Sequence, residues 1–538
     1  MNTQPDVTVI VPVYNALPYL SECLGSLVGQ SIGADRMEII AVDDGSTDGS
    51  SEEMSRFAQL HPGLITVLHQ PNSGSPGGPC NRGLDVATGR FVFFVGADDT
   101  LWREALERLV AEAEEYGSDV VAGKMVGVND RYVHQALYAR TDHDVQLFDS
   151  ALPWTMSNTK LFRRELVERL GLRFPEDLPL GSDQPFTLEA CLHAQRISVL
   201  ADDTYYFAMR RTDAGNISYR TRSDVRLACA AEVMHRAAKL VEAGPHRDVI
   251  LRRHFAWELT KVLTEGYLEL DETAREDICR GVAELCNAYL TDGIRDGLPV
   301  RRRLMLSLAQ AGDLDTLLEV VREQAEPTLP PLILDGDRAF VRYAGFREAT
   351  SVDEHCYELL TQSVKGWLED CLHVVSLGCG RQKGKSELRA VLRLALGGLT
   401  AADASRVRVS AVPGPFPADR RSGAPAPGVV VSELTLEAID DGLATIVRPA
   451  FRLADLLAHG SGRWTFTLAL TVAGKPRELP LPADSELPPR YAWHRGRVFR
   501  VSSTATKKGQ LQLRVQAVSR REAVGQSLRS LTTRAERN

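Results

Sequence analysis

Strand-like and helix-like patterns alternate through the first part of the chain. Residues 7–13, VTVIVPV, are apolar and β-branched with no alternation, the signature of a strand covered on both faces of a parallel sheet. The next stretch, LPYLSECLGSLVGQ, puts Leu20, Leu24 and Leu27 on one helical face. MEIIAVDDGSTD then reads as a second buried strand, two aspartates and a Ser/Thr/Asp-rich helix start. LITVLHQ, FVFFV and SDVVAG supply further strands with helical segments between them, an order that implies βαβ units and a doubly wound sheet.

Beyond residue 150 the pattern loosens. WTMSNTKLFRRELVERLGLRFPED predicts a helix, LPLGSDQPFTLEACLHAQ a loop feeding another, and ISVLADDTYYFAMRR a return strand. Residues 222–325 are almost purely helical in pattern. After EQAEPTLPP, apolar alternation in HVVSL, RVRVSAV, FTLALTV and LQLRV, broken by Gly/Pro turns, predicts two small β-sandwiches of Ig-like type. PGPFPADRRSGAPAPG, 413–428, reads as a loop or linker between them. The expected domains are 1–220, an α/β unit; 221–328, a helical linker; 329–425, a first sandwich; and 426–538, a second sandwich with a basic tail.

Composition narrows the class. A chain of 538 residues, 44% hydrophobic and 25% charged, is ordinary soluble globular material. A net charge of -8 argues against a whole-protein nucleic-acid binder. Nine cysteines without a CxxC pair predict buried reduced thiols rather than a disulfide framework or zinc site. MNTQPDVTVIVPVYN lacks a basic n-region and a long apolar h-region, and no apolar run approaches the roughly 20 residues that span a bilayer. A soluble, cytoplasmic protein is expected.

Ligands of doubly wound sheets bind at the carboxyl ends of the strands. There the fourth strand, in FVFFVGADDT, delivers Asp98 and Asp99 side by side. Paired carboxylates on a fixed loop suit a hard cation, Mg²⁺ or Mn²⁺, shared with the phosphates of a ligand. The same residues also read as first-turn acids of the helix TLWREALERL. Both readings hold together if Asp99 caps that helix while Asp98 faces a metal.

VTVIVPVYNALPYLSECLGSLVGQS, IIAVDDGSTDGS and FVFFVGADDTL together resemble the family 2 glycosyltransferases, over roughly residues 5–220. The resemblance implies a GT-A, Rossmann-like fold and transfer of a sugar from a nucleotide diphosphate donor, usually a UDP-sugar, with inversion. By this resemblance Pro12 and Tyr14 begin the nucleotide pocket. Asp43 and Asp44 take the uracil and ribose, and Asn72 and Arg82 contact base and diphosphate. Asp98 is the metal ligand with Asp99 in support. The family commonly reads D-x-D-D where this chain has Gly96 in place of the first Asp. LPLGSDQPF resembles the family's E-D-x-x-[FY] element, with Ser182 replacing Glu and reading as a helix N-cap, and with Asp183 as the ionised general base. Arg210 and Arg211, with Asn216 and Ser218, resemble the segment that closes over the diphosphate, glycines 74, 77 and 78 admit a ligand to the backbone, and His134 and His193 are bystanders.

A helical linker followed by paired β modules resembles the teichoic-acid glycosyltransferases of Gram-positive bacteria. That implies a poly(polyol-phosphate) acceptor, N-acetylglucosamine as the first sugar to test, and a homo-oligomer, a trimer by analogy. Lys507, Lys508, Arg514, Arg520, Arg521, Arg529, Arg534 and Arg537 face only Glu522 and Glu536 at the C-terminus, and VRRRL at 300–304 adds a second basic cluster. These patches suit an anionic polymer or the inner leaflet, and also suit a solvated tail. A capsular polysaccharide acceptor, and an idle GT-A domain that binds carbohydrate or builds an assembly, stay open.

Overall fold

The computed structural model describes residues 4–213, 215–326, 330–336, 338–348, 351–360, 364–382, 385–413, 429–458, 460–472 and 475–523. It divides into two compact units, Met1–Leu298 and Pro299–Asn538. The stretch 414–428 of the expected linker and the tail arginines 529, 534 and 537 lie outside the described residues.

The first unit opens with β1 (Val7–Val13), α1 (Tyr19–Val28), β2 (Met37–Asp43), α2 (Ser50–Leu60), β3 (Ile65–His69), α3 (Gly77–Leu84) and β4 (Phe91–Phe94). It continues through β5 (Thr100–Leu101), α4 (Ala105–Tyr116), β6 (Val120–Gly123), β7 (Met125–Val128), β8 (Leu161–Arg163), α5 (Arg164–Leu170), α6 (Asp183–His193), β9 (Ile197–Leu200) and β10 (Tyr206–Met209). The main sheet runs β3-β2-β1-β4-β8-β6-β9, with only β8 antiparallel to its neighbours. The chain winds outward from β1 in both directions, which makes the carboxyl ends of β1 and β4 the switch point where such sheets hold ligands.

The unbroken apolar run of β1 is used on both faces. Val7, Val9, Val11 and Val13 join Leu20, Cys23, Leu24 and Leu27 of α1 in one core. Ile10 faces α3, where a Cβ on Gly83 would stand 2.5 Å from the Ile10 side chain, so glycine sets how closely that helix approaches. A small sheet, β5-β10-β7, lies beside the main one. Phe94 of β4, Phe162 of β8, Phe174 and Phe186 of α6 form one aromatic cluster, with Phe174 and Phe186 stacked at 4.2 Å and Phe94 edge-on to Phe186 at 5.6 Å. It docks the start of α6 against the end of β4.

Among the described residues seven α-helices follow in this unit: α7 (Ile217–Arg220), α8 (Ser223–Leu240), α9 (Pro245–Arg253), α10 (Leu259–Lys261), α11 (Glu265–Leu268), α12 (Glu272–Tyr289) and α13 (Asp292–Asp296). Between α9 and α10 the turn His254–Glu258 is π-helical. His254 is 4% exposed, its Nδ1 has no partner among the described residues, and burial pushes its pKa down to about 3. A depressed folded-state pKa stabilises the fold above the ordinary histidine range, and that stability drains away as pH falls from about 6.5, at roughly 1.4 kcal/mol per pKa unit. His254→Phe should therefore raise Tm relative to wild type more at pH 5 than at pH 8. Melting curves that differ by the same amount at both pH values would rule this out.

The second unit carries α14 (Val300–Ala311) and α15 (Leu314–Ala325), so the helical region runs on into it. Arg303, read from sequence as part of a surface patch, is fully buried and donates to the carbonyls of Cys356, at 3.2 Å, and Glu358. It braces α14 and is no part of a polymer-facing surface. The strands are β11 (Leu332–Asp335), β12 (Arg338–Val341), β13 (Leu372–Gln382), β14 (Lys385–Leu394), β15 (Leu396–Gly397), β16 (Val407–Pro413), β17 (Val430–Val431), β18 (Glu433–Ile439), β19 (Ala444–Arg452), β20 (Gly462–Val472), β21 (Lys475–Pro480), β22 (Arg490–His494), β23 (Arg497–Ala505) and β24 (Leu511–Val518).

These strands do not form two sandwiches in series. β14 pairs with β19 and β16 pairs with β20, across the expected boundary at 425/426, giving sheets β13-β14-β19-β18 and β17-β16-β20-β24-β23-β22. Phe451 of β19 and Phe466 of β20 meet edge to face at 5.3 Å where the two sheets touch. Alternation says which side chains face inward but not which strand lies alongside, so the pairing was not written in the pattern. All nine cysteines are free, eight of them buried. Among the described residues no helix is long and apolar enough to cross a membrane.

Candidate active site

The carboxyl ends of β1 and β4 open into a cavity of about 490 Å³. Of the residues expected there, Pro12, Tyr14, Asp44, Asn72, Asp98, Asp99, Asp183 and Arg211 line it. Asp43, Arg82 and Arg210 are not brought to it. The Asp43 carboxylate turns into its own loop, accepting from the Ser46 amide at 2.9 Å with His69 Nδ1 at 3.2 Å. Arg82 and Arg210 are solvent-exposed, Arg82 because α3 buries Cys80, Asn81, Gly83 and Leu84 instead. The Ser218 side chain lies outside the described residues.

Polar loop residues brace one another. Asn15 Oδ1 accepts from the Thr47 amide at 2.8 Å, and Ser50 Oγ accepts from the Ala16 amide at 3.0 Å. Asp44 accepts from Gln70 Nε2 at 2.6 Å, the Ser73 amide at 3.1 Å and Ser73 Oγ at 3.0 Å, which folds the Asn72 loop over it. Gly74 makes the turn there with φ at +76°. Gly77 and Gly78 serve packing rather than a ligand, since a Cβ would stand 2.6 Å from the Pro175 carbonyl oxygen and 2.8 Å from Ser73 Oγ respectively.

The two adjacent aspartates have different tasks. Asp99 does not cap α4, which begins only at Ala105; its carboxylate accepts from Tyr206 Oη at 2.6 Å and the Met209 amide at 2.7 Å, with Arg131 Nη1 at 3.4 Å. That anchors the end of β10 to the loop. Asp98 spends one oxygen on Asn216 Nδ2 at 2.8 Å. Burial raises the pKa of both; the Asp98 charge adds to the rise at Asp99 and the Asp213 charge to that at Asp98, while Arg131 opposes both and Arg211 opposes that at Asp98. Gly96 has no room for the family's first acid: a Cβ there would lie 2.8 Å from Asp99 Oδ2 and 3.3 Å from Asp98 Oδ1. Among the described residues no three His, Cys, Asp or Glu are grouped to hold a metal alone. The donor set therefore fits a hard cation that takes one cavity-lining carboxylate, Asp98, and completes its shell with phosphate oxygens and water.

Asp183, which also lines the cavity, begins α6. Ser182 does not act as the expected cap: it has helical φ and ψ and makes no capping side-chain bond. The helix end does not decide the charge of Asp183 either, because burial outweighs it and pushes the pKa up, against the opposing pull of Arg253 and Lys160. Next to it, Gln184 Oε1 accepts from Arg253 Nη1 at 2.8 Å. Arg253, Arg226 and Lys261 surround Glu258 at 3.2, 3.7 and 3.6 Å, so three cations share one carboxylate. Trp257 packs against Tyr132, His134 and Trp154, with the Arg253 guanidinium 5.8 Å from its ring. Sequence reading set His134 aside and passed over Arg131, Lys160, Trp154 and Trp257, which carry no motif.

Arg211 is held rather than loose. It donates to Asp213 Oδ1 at 3.1 Å, Asp213 Oδ2 at 2.8 Å and the Asn15 carbonyl at 3.0 Å, and its amide donates to Asn216 Oδ1 at 2.8 Å. One network thus runs from the loop after β1 through Arg211 and Asn216 to Asp98.

Residues 8–171 match the sequence profile of glycosyl transferase family 2. An uncharacterized glycosyltransferase of Bacillus subtilis, EpsJ, is 33% identical over 234 residues, 41% of this chain and 67% of EpsJ. The chain belongs to glycosyl transferase family 2. Residues 228–321 further match the linker domain of the glycosyl transferase TarS. Two other relatives within the family are a poly(ribitol-phosphate) beta-glucosyltransferase of Bacillus spizizenii, 32% identical over 375 residues (68% of this chain, 57% of the relative), and the poly(ribitol-phosphate) beta-N-acetylglucosaminyltransferase TarS of Staphylococcus aureus, 35% identical over 321 residues (57% and 54%). The chain thus spans a little over half the length of those two. The fold of the whole chain matches crystalline S. aureus TarS with a TM-score of 0.58 at 22% identity, covering 96% of this chain and 86% of TarS. A TarS fragment, residues 1–349 in complex with UDP-GlcNAc, matches with a TM-score of 0.55 at 29% identity, covering 64% of this chain and 98% of the fragment. The family match takes in the cavity residues from Pro12 to Thr159, whereas those from Phe174 to Arg220, Asp183 and Arg211 among them, lie beyond it.

Proposed function

We propose that this chain is an inverting glycosyltransferase that moves a sugar, N-acetylglucosamine first, from a UDP-sugar to a hydroxyl of a poly(ribitol-phosphate) teichoic acid. The observation that carries the reading is that Asp98 and Asp183 both line one cavity at the sheet's switch point. The relatives named for poly(ribitol-phosphate) and the TarS fragment's UDP-GlcNAc complex support the choice of acceptor and donor.

In this reading Pro12, Tyr14, Asp44 and Asn72 receive the nucleotide, with the exposed Tyr14 ring offered to the base. Asp98, supported by Asp99, would hold Mn²⁺ or Mg²⁺, which neutralises charge on the departing diphosphate. Arg211, already oriented by Asp213, presents guanidinium charge to the same group. Asp183 takes the proton of the acceptor hydroxyl as its oxygen attacks the anomeric carbon from the side opposite UDP. The C–O bond to UDP then breaks and the configuration inverts. By the architectural resemblance we assign the second unit to self-association as a trimer, and place the protein in the cytoplasm, in contact with the inner face of the membrane.

Purified protein incubated with poly(ribitol-phosphate) and a panel of UDP-sugars tests the assignment. Incorporation of N-acetylglucosamine, in β configuration by NMR and dependent on added Mn²⁺ or Mg²⁺, is expected. Transfer only to a phosphate-free polysaccharide, or none from any UDP-sugar, would overturn it.

A further inference from the structure

Lys160, one residue before β8, is 1% exposed. Its ammonium donates to the carbonyl oxygens of Thr155 at 2.5 Å and Ser157 at 2.7 Å, both neutral partners. Lysine is seldom fully buried without a paired charge, and withdrawing an ammonium from water costs several kcal/mol. Burial drags its pKa down to about 8, which still leaves it charged at neutral pH. The backbone it grips leads into Ser157, Asn158 and Thr159, which line the cavity that Asp183 also lines.

We propose that Lys160 is a positioning residue for the transfer reaction: its fixed positive charge keeps Asp183 able to accept the acceptor's proton, and its bonds to Thr155 and Ser157 hold the adjoining cavity wall. This rests on the reading of Asp183 as general base. Burial favours the neutral form of Asp183, and a carboxylic acid cannot take a proton. Two cations oppose that burial, Arg253 and Lys160, while Glu258 adds to it. Arg253 is shared with Glu258 at 3.2 Å and with Gln184, which spends part of its field elsewhere. Lys160 binds only carbonyls, so its charge is left to act on Asp183. The other titratable groups here are thiols: Cys80 of α3 faces Asp183 and Cys191 of α6 faces Lys160, both held protonated by burial.

Lys160→Gln keeps a hydrogen-bond donor and removes the charge. The acid limb of its kcat/KM profile should move to higher pH, a loss of activity below the limb that recovers above it. Lys160→Met should show the same displacement with a lower kcat at every pH. An unmoved acid limb in Lys160→Gln overturns the proposal. If that variant does not fold, reciprocity supplies a second measurement. In protein labelled with ¹⁵Nζ-lysine, Asp183→Asn should lower the pKa of the Lys160 ammonium, and an unchanged value likewise overturns it. Wild-type transfer by Asp183→Asn would sink the base assignment and this role with it. An inactive Asp183→Asn beside an unmoved limb in Lys160→Gln sinks the role of Lys160 alone.

Discussion

Asp183→Asn is expected to lower kcat for sugar transfer by roughly 10²- to 10⁴-fold, the contribution of a well-placed general base, while leaving UDP-sugar affinity within about twofold. The substitution is nearly isosteric and keeps a polar group at the head of α6, next to Gln184 and its bond from Arg253. The aromatic cluster that docks α6 on β4 is untouched, so the cavity should keep its shape. What disappears is the group able to accept a proton on the acceptor side. Burial lifts the Asp183 pKa, the direction that improves a base, while Arg253 and Lys160 pull against that rise. Slow hydrolysis of the UDP-sugar by water should fall less than transfer, because water needs less help to lose its proton to solvent. Measuring both in parallel checks the assignment, and transfer within tenfold of wild type would remove Asp183 from the reaction.

How much of this was legible beforehand depends on the kind of signal. The buried strands β1 and β4 were plain from uninterrupted apolar runs, and the switch-point rule then turned their loops into candidate site residues. Asp98 and Asp183 could each be picked from local motifs. Their convergence could not, because it depends on Phe94, Phe162, Phe174 and Phe186 packing across distant segments. Arg131 sits in a turn after β7 with no pattern around it, and it reaches the cavity only because the small sheet brings β7 beside β10. Lys160 was hidden for the opposite reason. In WTMSNTKLFRREL a lysine looks like a solvated helix residue, whereas the chain forms β8 at Leu161–Arg163 before α5 and turns that side chain inward. Composition cannot reveal a buried ammonium satisfied by backbone carbonyls. The β region failed differently: its strands were visible, its register and partners were not.

Asp98→Asn should weaken joint binding of Mn²⁺ and UDP by at least roughly tenfold and lower kcat/KM by about 10²- to 10³-fold, the scale seen when one group that stabilises developing charge is removed. Asp99→Asn should separate from it in kind. Asp99 is fixed by Tyr206, the Met209 amide and Arg131, so its change strikes the anchorage of β10, and a stability loss of about 1–3 kcal/mol is expected for disturbing buried, charge-assisted bonds. Asp98 has one bond to Asn216 and faces open space, so its substitution should leave Tm nearly unchanged. The contrast makes the division of labour measurable: calorimetric titration of Mn²⁺ and UDP for Asp98→Asn, thermal melts for Asp99→Asn. Gly96→Asp offers the converse check, since a side chain there meets Asp99 Oδ2 at 2.8 Å from its Cβ and adds a third negative charge. Restoring the family's acid should therefore destabilise this loop rather than tighten its grip on metal. Mn²⁺·UDP binding to Asp98→Asn as tight as to wild type would mean that the cation, if one is used, is held elsewhere.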